Sequence, residues 1–189
     1  MFLTQQLPHD AAPVLLPPGF TVEYWRPRWR QPVPAGLSFH PFLAFSLFHF
    51  LRGFSSQDFA SVIIRDGGIP VAYSCALPKC ARFPFMGAED IQVACCYARP
   101  DYRGRGLCGA TLQELARRLK HPGRKLWALV QEDNGSSLRM FEKGGYQCVG
   151  RGEKIPLPLM GMFGIRRFGT YRLVEPVDPA DGWAAETIH

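Results

Sequence analysis

One stretch limits what this chain can fold into more than any other: Ala98-Arg99-Pro100-Asp101-Tyr102-Arg103-Gly104-Arg105-Gly106-Leu107-Cys108-Gly109. An apolar run ends at Ala98, a polar loop follows, and an amphipathic pattern begins at Leu107. Over residues 107–119 that pattern puts Cys108, Leu112, Leu115, Ala116 and Leu119 on one face. Gln113, Glu114, Arg117 and Arg118 fall on the other, so the segment reads as a helix. Gly104, Gly106 and Gly109 let backbone N–H groups approach a ligand with no Cβ in the way. The first N–H groups of a helix have no intrahelical partner and sit at the positive end of its dipole. A strand, a glycine-rich loop and a helix start in this order make an anion site suited to phosphate or pyrophosphate. Arg103 and Arg105 add charge at its rim. A turn that merely caps a helix needs neither three glycines nor two arginines.

The rest of the chain supplies a mixed frame for that loop. Residues 1–19 are rich in proline and read as irregular, and residues 20–26 alternate enough to be a first strand. A loop with Pro27, Pro32 and Pro34 follows. Residues 41–53 read as a helix that is apolar nearly all round, through Phe42, Phe45, Leu47, Phe48, Phe50 and Leu51. Residues 59–64 and 69–77 flank Asp66-Gly67-Gly68, a strong hairpin signal. Strands over 91–98, 126–130, from 146 and over 169–174 alternate with helices over 107–119 and 136–143. The fold class is α/β (α+β), a single domain whose first half is mainly antiparallel. The domain is expected to span residues 20–175, with a loose tail over 176–189.

Bulk properties narrow the function classes. A chain of 189 residues suits one domain, and 47% hydrophobic with 20% charged residues is ordinary for a globular protein. The net charge of +6 is scattered rather than gathered into a stripe, which argues for a phosphorylated ligand and against nucleic acid. The six cysteines form no C-x-x-C pair, so no metal site is expected and reduced thiols in a cytoplasmic protein are. No secretory leader pattern is visible, and the most apolar stretch is about half the length a bilayer span requires. A membrane-surface role is therefore a weaker alternative, and a monomer or homodimer is expected.

Gly104-x-Gly106-x-x-Gly109 also matches the dinucleotide fingerprint, so a small dinucleotide-dependent oxidoreductase is one alternative. That fingerprint normally follows its strand directly and opens the domain, whereas here four residues intervene and half the chain comes first. A second element lies downstream: Asn134-Gly135-Ser136-Ser137-Leu138-Arg139-Met140-Phe141-Glu142-Lys143-Gly144-Gly145-Tyr146. At these two elements together the chain resembles the GNAT superfamily of N-acetyltransferases. Arg103-Gly104-Arg105-Gly106-Leu107-Cys108 matches the family's Q/R-x-x-G-x-G/A signature, with Cys108 in a slot usually held by Gly or Ala. The downstream run matches N-x-x-S/A followed by an aromatic residue, Lys and Gly.

The resemblance implies a mixed sheet with splayed central strands, flanked by helices, and acetyl-CoA as cofactor. It implies N-acyl transfer to a small-molecule amine, an amino sugar being one candidate. Cys96, Tyr97 and Ala98 would lie beside the pantetheine arm. Arg103, Gly104, Arg105, Gly106, Leu107, Cys108 and Gly109 would hold the pyrophosphate, with Asn134, Ser137 and Phe141 on the far side. Phe141 stands where many members carry the Tyr that protonates the leaving thiolate, so a coenzyme A-binding regulatory module without catalysis is a second alternative. Tyr97 and Ser137 are the candidate hydroxyls near the thioester, and Glu89, Asp90 and Glu132 the candidate bases. An acyl-Cys108 relay is the weaker reading, since it lacks a paired base. The apolar helix at 41–53 and the stretch 155–165, with Met160, Met162 and Phe163, are candidate acceptor walls.

Overall fold

The computed structural model describes residues 1–6, 16–156 and 169–176. In chain order the elements are β1 (Phe2–Gln6), β2 (Phe20–Trp25), α1 (Phe39–Phe50), β3 (Ala60–Asp66), β4 (Ile69–Pro78), β5 (Ile91–Ala98), α2 (Leu107–Arg118), β6 (Lys125–Leu129), α3 (Gly135–Lys143), β7 (Gln147–Pro156) and β8 (Gly169–Pro176). The strands form one sheet in the order β2-β3-β4-β5-β6-β1-β7-β8. All pairings are antiparallel except β5 with β6.

The hairpin of β3 and β4 turns on Gly67 and Gly68, with φ of 53° and 86°. Two successive left-handed residues make the turn whose twist matches the strands, which is why two glycines stand there. Along β3, successive side chains point to opposite faces and reach separate clusters. Val62 joins Leu112, Leu115 and Ala116 of α2 and Leu119 just after it in one cluster, together with Ile91, Val93, Leu126 and Ala128. Ile63 joins Trp25, Phe42 of α1, Phe54, Phe59, Cys75 and Leu77 in the other. The sheet is thus a middle layer, with α2 and α3 on one side and α1 on the other.

The N-terminal residues depart from the sequence expectation. Residues 1–19 were expected to be irregular, yet Phe2–Gln6 forms β1 between β6 and β7. Leu3 is completely buried there. Pairing such as Leu3 with Ala128 joins residues far apart in the chain, and so short a strand next to a proline-rich run carries no local signal for it. The helix expected over 41–53 starts at Phe39 and stops at Phe50, where Leu51 leaves helical geometry and Arg52 takes a left-handed φ of 55°. The last two strands run further than expected, because β7 and β8 pair with each other from Gly150–Pro176 to Pro156–Gly169. The tail over 177–189 and the candidate wall residues Met160, Met162 and Phe163 lie outside the described residues.

Candidate cofactor pocket

Strand β5 is where the sheet opens. It pairs with β6 only from Ile91–Leu126 to Val93–Ala128, and beyond Val93 the two strands part. On its other edge the register with β4 shifts between Tyr73 and Cys75, and Cys95 has a left-handed φ of 54°. An extra residue on one strand bends it and re-aims the side chains that follow. The freed end, Cys96-Tyr97-Ala98, becomes one wall of a cleft of about 640 Å³.

The second wall is the loop and the start of α2: Tyr102, Arg103, Gly104, Gly106, Leu107, Cys108 and Gly109. Gly104 and Gly106 have φ of 76° and 74°. A left-handed backbone costs an L-residue roughly 1–2 kcal/mol, so the loop's path itself calls for glycine at both. Gly109 is different. It sits in α2 with no positive φ, and a Cβ there would meet nothing within 4 Å. Neither packing nor backbone conformation asks for glycine at 109. Ala110 N–H bonds to the Gly106 carbonyl at 3.0 Å, so the N–H groups of Leu107, Cys108 and Gly109 precede the first intrahelical bond. Tyr102 is tied down by its hydroxyl, which donates to Asp66 Oδ2 at 2.9 Å, and Arg105 lies over its ring at 5.0 Å.

The third wall is α3, through Asn134, Ser136, Ser137, Arg139, Met140 and Lys143. Asn134 Oδ1 accepts from Ser137 N–H at 3.1 Å and caps the helix while lining the cleft. Sequence reasoning did not single out Ser136, Arg139, Met140 or Lys143. Their spacing of three and four residues marks one helix face, and that was the available signal. Three cations, Arg103, Arg139 and Lys143, thus border an opening that contains three unpaired N–H groups.

Several expected site residues fall elsewhere. Asp90 is buried at the opposite end of β5, roughly 20 Å along the strand from Cys96–Ala98 at 3.3 Å per residue. Its carboxylate accepts from Gly87 N–H at 2.8 Å, Lys125 N–H at 3.0 Å and Trp127 Nε1–H at 2.8 Å, so it ties β5 to β6. Glu89 pairs with buried Arg124 at 3.4 Å at that same end. Glu132 pairs with Arg151 at 3.4 Å and does not line the cleft. Phe141 is buried against Tyr146, with ring centroids 4.9 Å apart, rather than facing the opening. Arg105 stacks on Tyr102 outside the lining. Burial pushes the Cys108 thiol up against the opposing pull of Arg103, which disfavours the thiolate that an acyl relay needs. Burial likewise pushes the Cys96 thiol up to about 12, against a hydrogen bond with Ser74.

A family model for the acetyltransferase (GNAT) family matches residues 22–146. The chain belongs to the GNAT family. That match begins at β2 and ends just past α3, so it includes all three walls of the cleft. No curated protein matches the sequence. Among solved structures, the chain is similar to a GCN5-related N-acetyltransferase from Kribbella flavida, at 18% identity and a TM-score of 0.47, over 77% of this chain and 52% of that one. It is similar to the aminoglycoside N-acetyltransferase AAC(6')-Iy in complex with a bisubstrate analogue, at 14% identity and a TM-score of 0.48, over 70% of this chain and 93% of that one. It is also similar to the ribosomal-protein-S18-alanine N-acetyltransferase from Escherichia coli, at 16% identity and a TM-score of 0.42, over 74% and 79%. The chain spans about half the length of the Kribbella protein.

The GNAT assignment removes the dinucleotide alternative. A dinucleotide fold needs an open, mostly parallel sheet, and here only β5 and β6 run parallel. Acetyl-coenzyme A is the usual cofactor of the family, and the cleft suits its polyanionic end through open N–H donors and a rim of cations. Within the family's pattern Phe141 remains the departure, since a phenyl ring cannot donate a proton.

Proposed function

We propose that this GNAT protein transfers an acetyl group from acetyl-coenzyme A to a primary amine by direct attack of the amine on the thioester. The observation that carries the reading is Gly109: a helical glycine with open space before it, beside the unpaired N–H groups of α2. Those donors and Gly104–Gly106 would grip the pyrophosphate, with Arg103, Arg139 and Lys143 around it. Cys96–Ala98, freed from β6, would offer backbone groups to the pantetheine arm and acetyl carbonyl. Acetyl-coenzyme A supplies the activated acyl group; the chain's own part is to fix it and to manage protons.

Tyr97 and Ser137 are the candidate hydroxyls on the cleft wall, and we assign protonation of the leaving thiolate to Tyr97, a residue that is 42% exposed. No carboxylate lines the cleft among the described residues. With no fixed base among the described residues of the cleft, the acceptor in this proposal loses its proton to water or arrives neutral. A kcat/KM that climbs with pH until the amine's own pKa is the expected signature.

An amine-acceptor screen that follows release of the free coenzyme A thiol tests the proposal, with amino sugars, aminoglycosides, polyamines and peptide amines in the panel. Turnover with one class and loss of kcat in Tyr97→Phe support it. Phe141 favours a second reading, a coenzyme A-binding regulatory module. Thermal stabilisation by acetyl-coenzyme A with no thiol release across the panel would establish that one instead.

A further inference from the structure

Helix α1 is apolar on its outward face as well as on its inward one. Its inward face carries Phe42, Phe45, Ser46 and His49, at spacings of three, one and three residues. Two of these are polar: Ser46 is fully buried and donates to the Pro32 carbonyl at 2.6 Å, and His49 Nδ1 is buried without a partner. The outward face carries Ala44, Leu47, Phe48 and Leu51, at the same helical spacing. Leu47, Phe48 and Leu51 are 47%, 41% and 78% exposed. A surface helix of a globular protein ordinarily turns polar and charged residues to that outward side. The preceding loop extends the apolar face, because Trp29 stacks on Phe50 at 4.2 Å and 12° and is itself 77% exposed.

Charge along the segment that builds this face has one sign. From Tyr24 to Gln57 the sequence holds Arg26, Arg28, Arg30 and Arg52 and no acidic residue. Arg26 is engaged by Asp58 and the Gln57 carbonyl. Arg28, Arg30 and Arg52 are exposed and form no ion pair among the described residues. Arg28 and Arg30 flank Trp29, and Arg52 follows Leu51, so the arginines border the apolar residues directly.

We propose that α1 and the 26–30 loop form a docking surface for an anionic phospholipid membrane. The chemistry selects this occupant. Leucine and phenylalanine enter the acyl boundary, tryptophan lies at headgroup depth, and arginine reaches the phosphates. A second copy of the chain is disfavoured, because a two-fold contact sets each patch against itself and brings unpaired arginines together. Nucleic acid would satisfy the arginines and leave Leu47 and Leu51 with nothing to bury against.

The test is co-sedimentation of the full chain with vesicles of phosphatidylcholine alone and of phosphatidylcholine with phosphatidylglycerol. Binding to the anionic vesicles that weakens with added salt, with little binding to the neutral ones, is expected. Arg28→Gln, Arg30→Gln and Arg52→Gln together should lower partitioning about a hundredfold, at the usual worth of a basic residue near an anionic surface. Trp29→Ser with Leu51→Ser should lower it roughly tenfold or more through lost apolar burial. Lys79→Gln, Lys120→Gln and Lys125→Gln together remove the same charge elsewhere and should change it only severalfold. Each variant is first shown to keep the wild-type melting temperature, so that loss of binding is not loss of fold. Failure of the wild type to pellet at low salt overturns the proposal, as does equal binding by the arginine and lysine variants. A dimer in solution that Trp29→Ser dissociates, without vesicle binding, overturns it in favour of self-association.

Discussion

Gly109→Ala separates what the fold needs from what a ligand needs. The residue lies in the first turn of α2, has no positive φ, and a Cβ there would meet nothing within 4 Å beyond its chain neighbours and its own helix backbone. The added methyl therefore strains nothing in the free protein. Alanine in place of a helical glycine stabilises by about 0.5–1 kcal/mol, largely by restricting the unfolded chain. For a chain of this size that corresponds to a rise of about 1–4 °C in melting temperature. The same methyl stands in front of the N–H groups proposed to hold the pyrophosphate. Losing one hydrogen bond to a charged group costs about 1.5–3 kcal/mol, or roughly ten- to a hundredfold in affinity. The expected outcome is a protein that melts higher when free and binds acetyl-coenzyme A more weakly. Differential scanning fluorimetry with and without ligand, together with calorimetric titration, reads both quantities on one sample. Wild-type affinity in a variant with raised stability would refute the cradle and leave Gly109 without a role in binding.

Other substitutions test other parts of the molecule. Asp90→Ala strands three donors that are now bonded at 2.8–3.0 Å, and should cost about 3–5 kcal/mol in urea unfolding while turnover per folded molecule stays unchanged; lost turnover at intact stability would make Asp90 a base after all. Tyr146→Phe removes a buried hydroxyl that has no partner, so stability should hold or rise by about 1 kcal/mol. If Tyr146→Phe kept stability but abolished thiol release, that hydroxyl rather than Tyr97 would be the acid. Glu114 carries a carboxyl held below its ordinary range first by the hydrogen bond from Arg117, then by Arg118. A depressed folded-state pKa gives stability that is present above the unfolded pKa and lost as pH falls through the folded one. Glu114→Gln should thus destabilise near neutral pH, and the gap to wild type should close on acidification; an equal gap at both ends of the pH series would show that packing, not charge, is at work.

What was legible in the sequence was what local rules determine. Gly67-Gly68 announced a hairpin because few residues accept two left-handed conformations in a row. Leu112, Leu115, Ala116 and Leu119 announced the buried face of α2 through spacing alone. The same patterning placed the start of α2 at Leu107, directly after the glycine loop. Contacts between distant parts of the chain were not legible. Asp90 read as a candidate base because a carboxylate beside a strand has no visible partner in one dimension. Its partners Gly87, Lys125 and Trp127 meet it only once β5 and β6 lie side by side. Phe141 read as a wall of the pocket through its place in a motif, yet its ring turns into the core against Tyr146. The outward face of α1 was hidden for another reason: apolar residues all round give no periodic signal from which to tell inside from outside.

The position of β1 carries a consequence for how the molecule assembles. It precedes β2 to β8 in the chain, yet its partners are β6 and β7, more than a hundred residues later. Among the described residues it is also the sole link in the sheet between β6 and the hairpin of β7 and β8. The meander from β2 to β5 can close on neighbours in sequence, while the middle of the sheet waits for β6 and β7. Pairing β1 with strands so distant in sequence therefore carries a large loop-closure cost, and until that strand seats, β6 and β7 present open edges to any other unfolded copy.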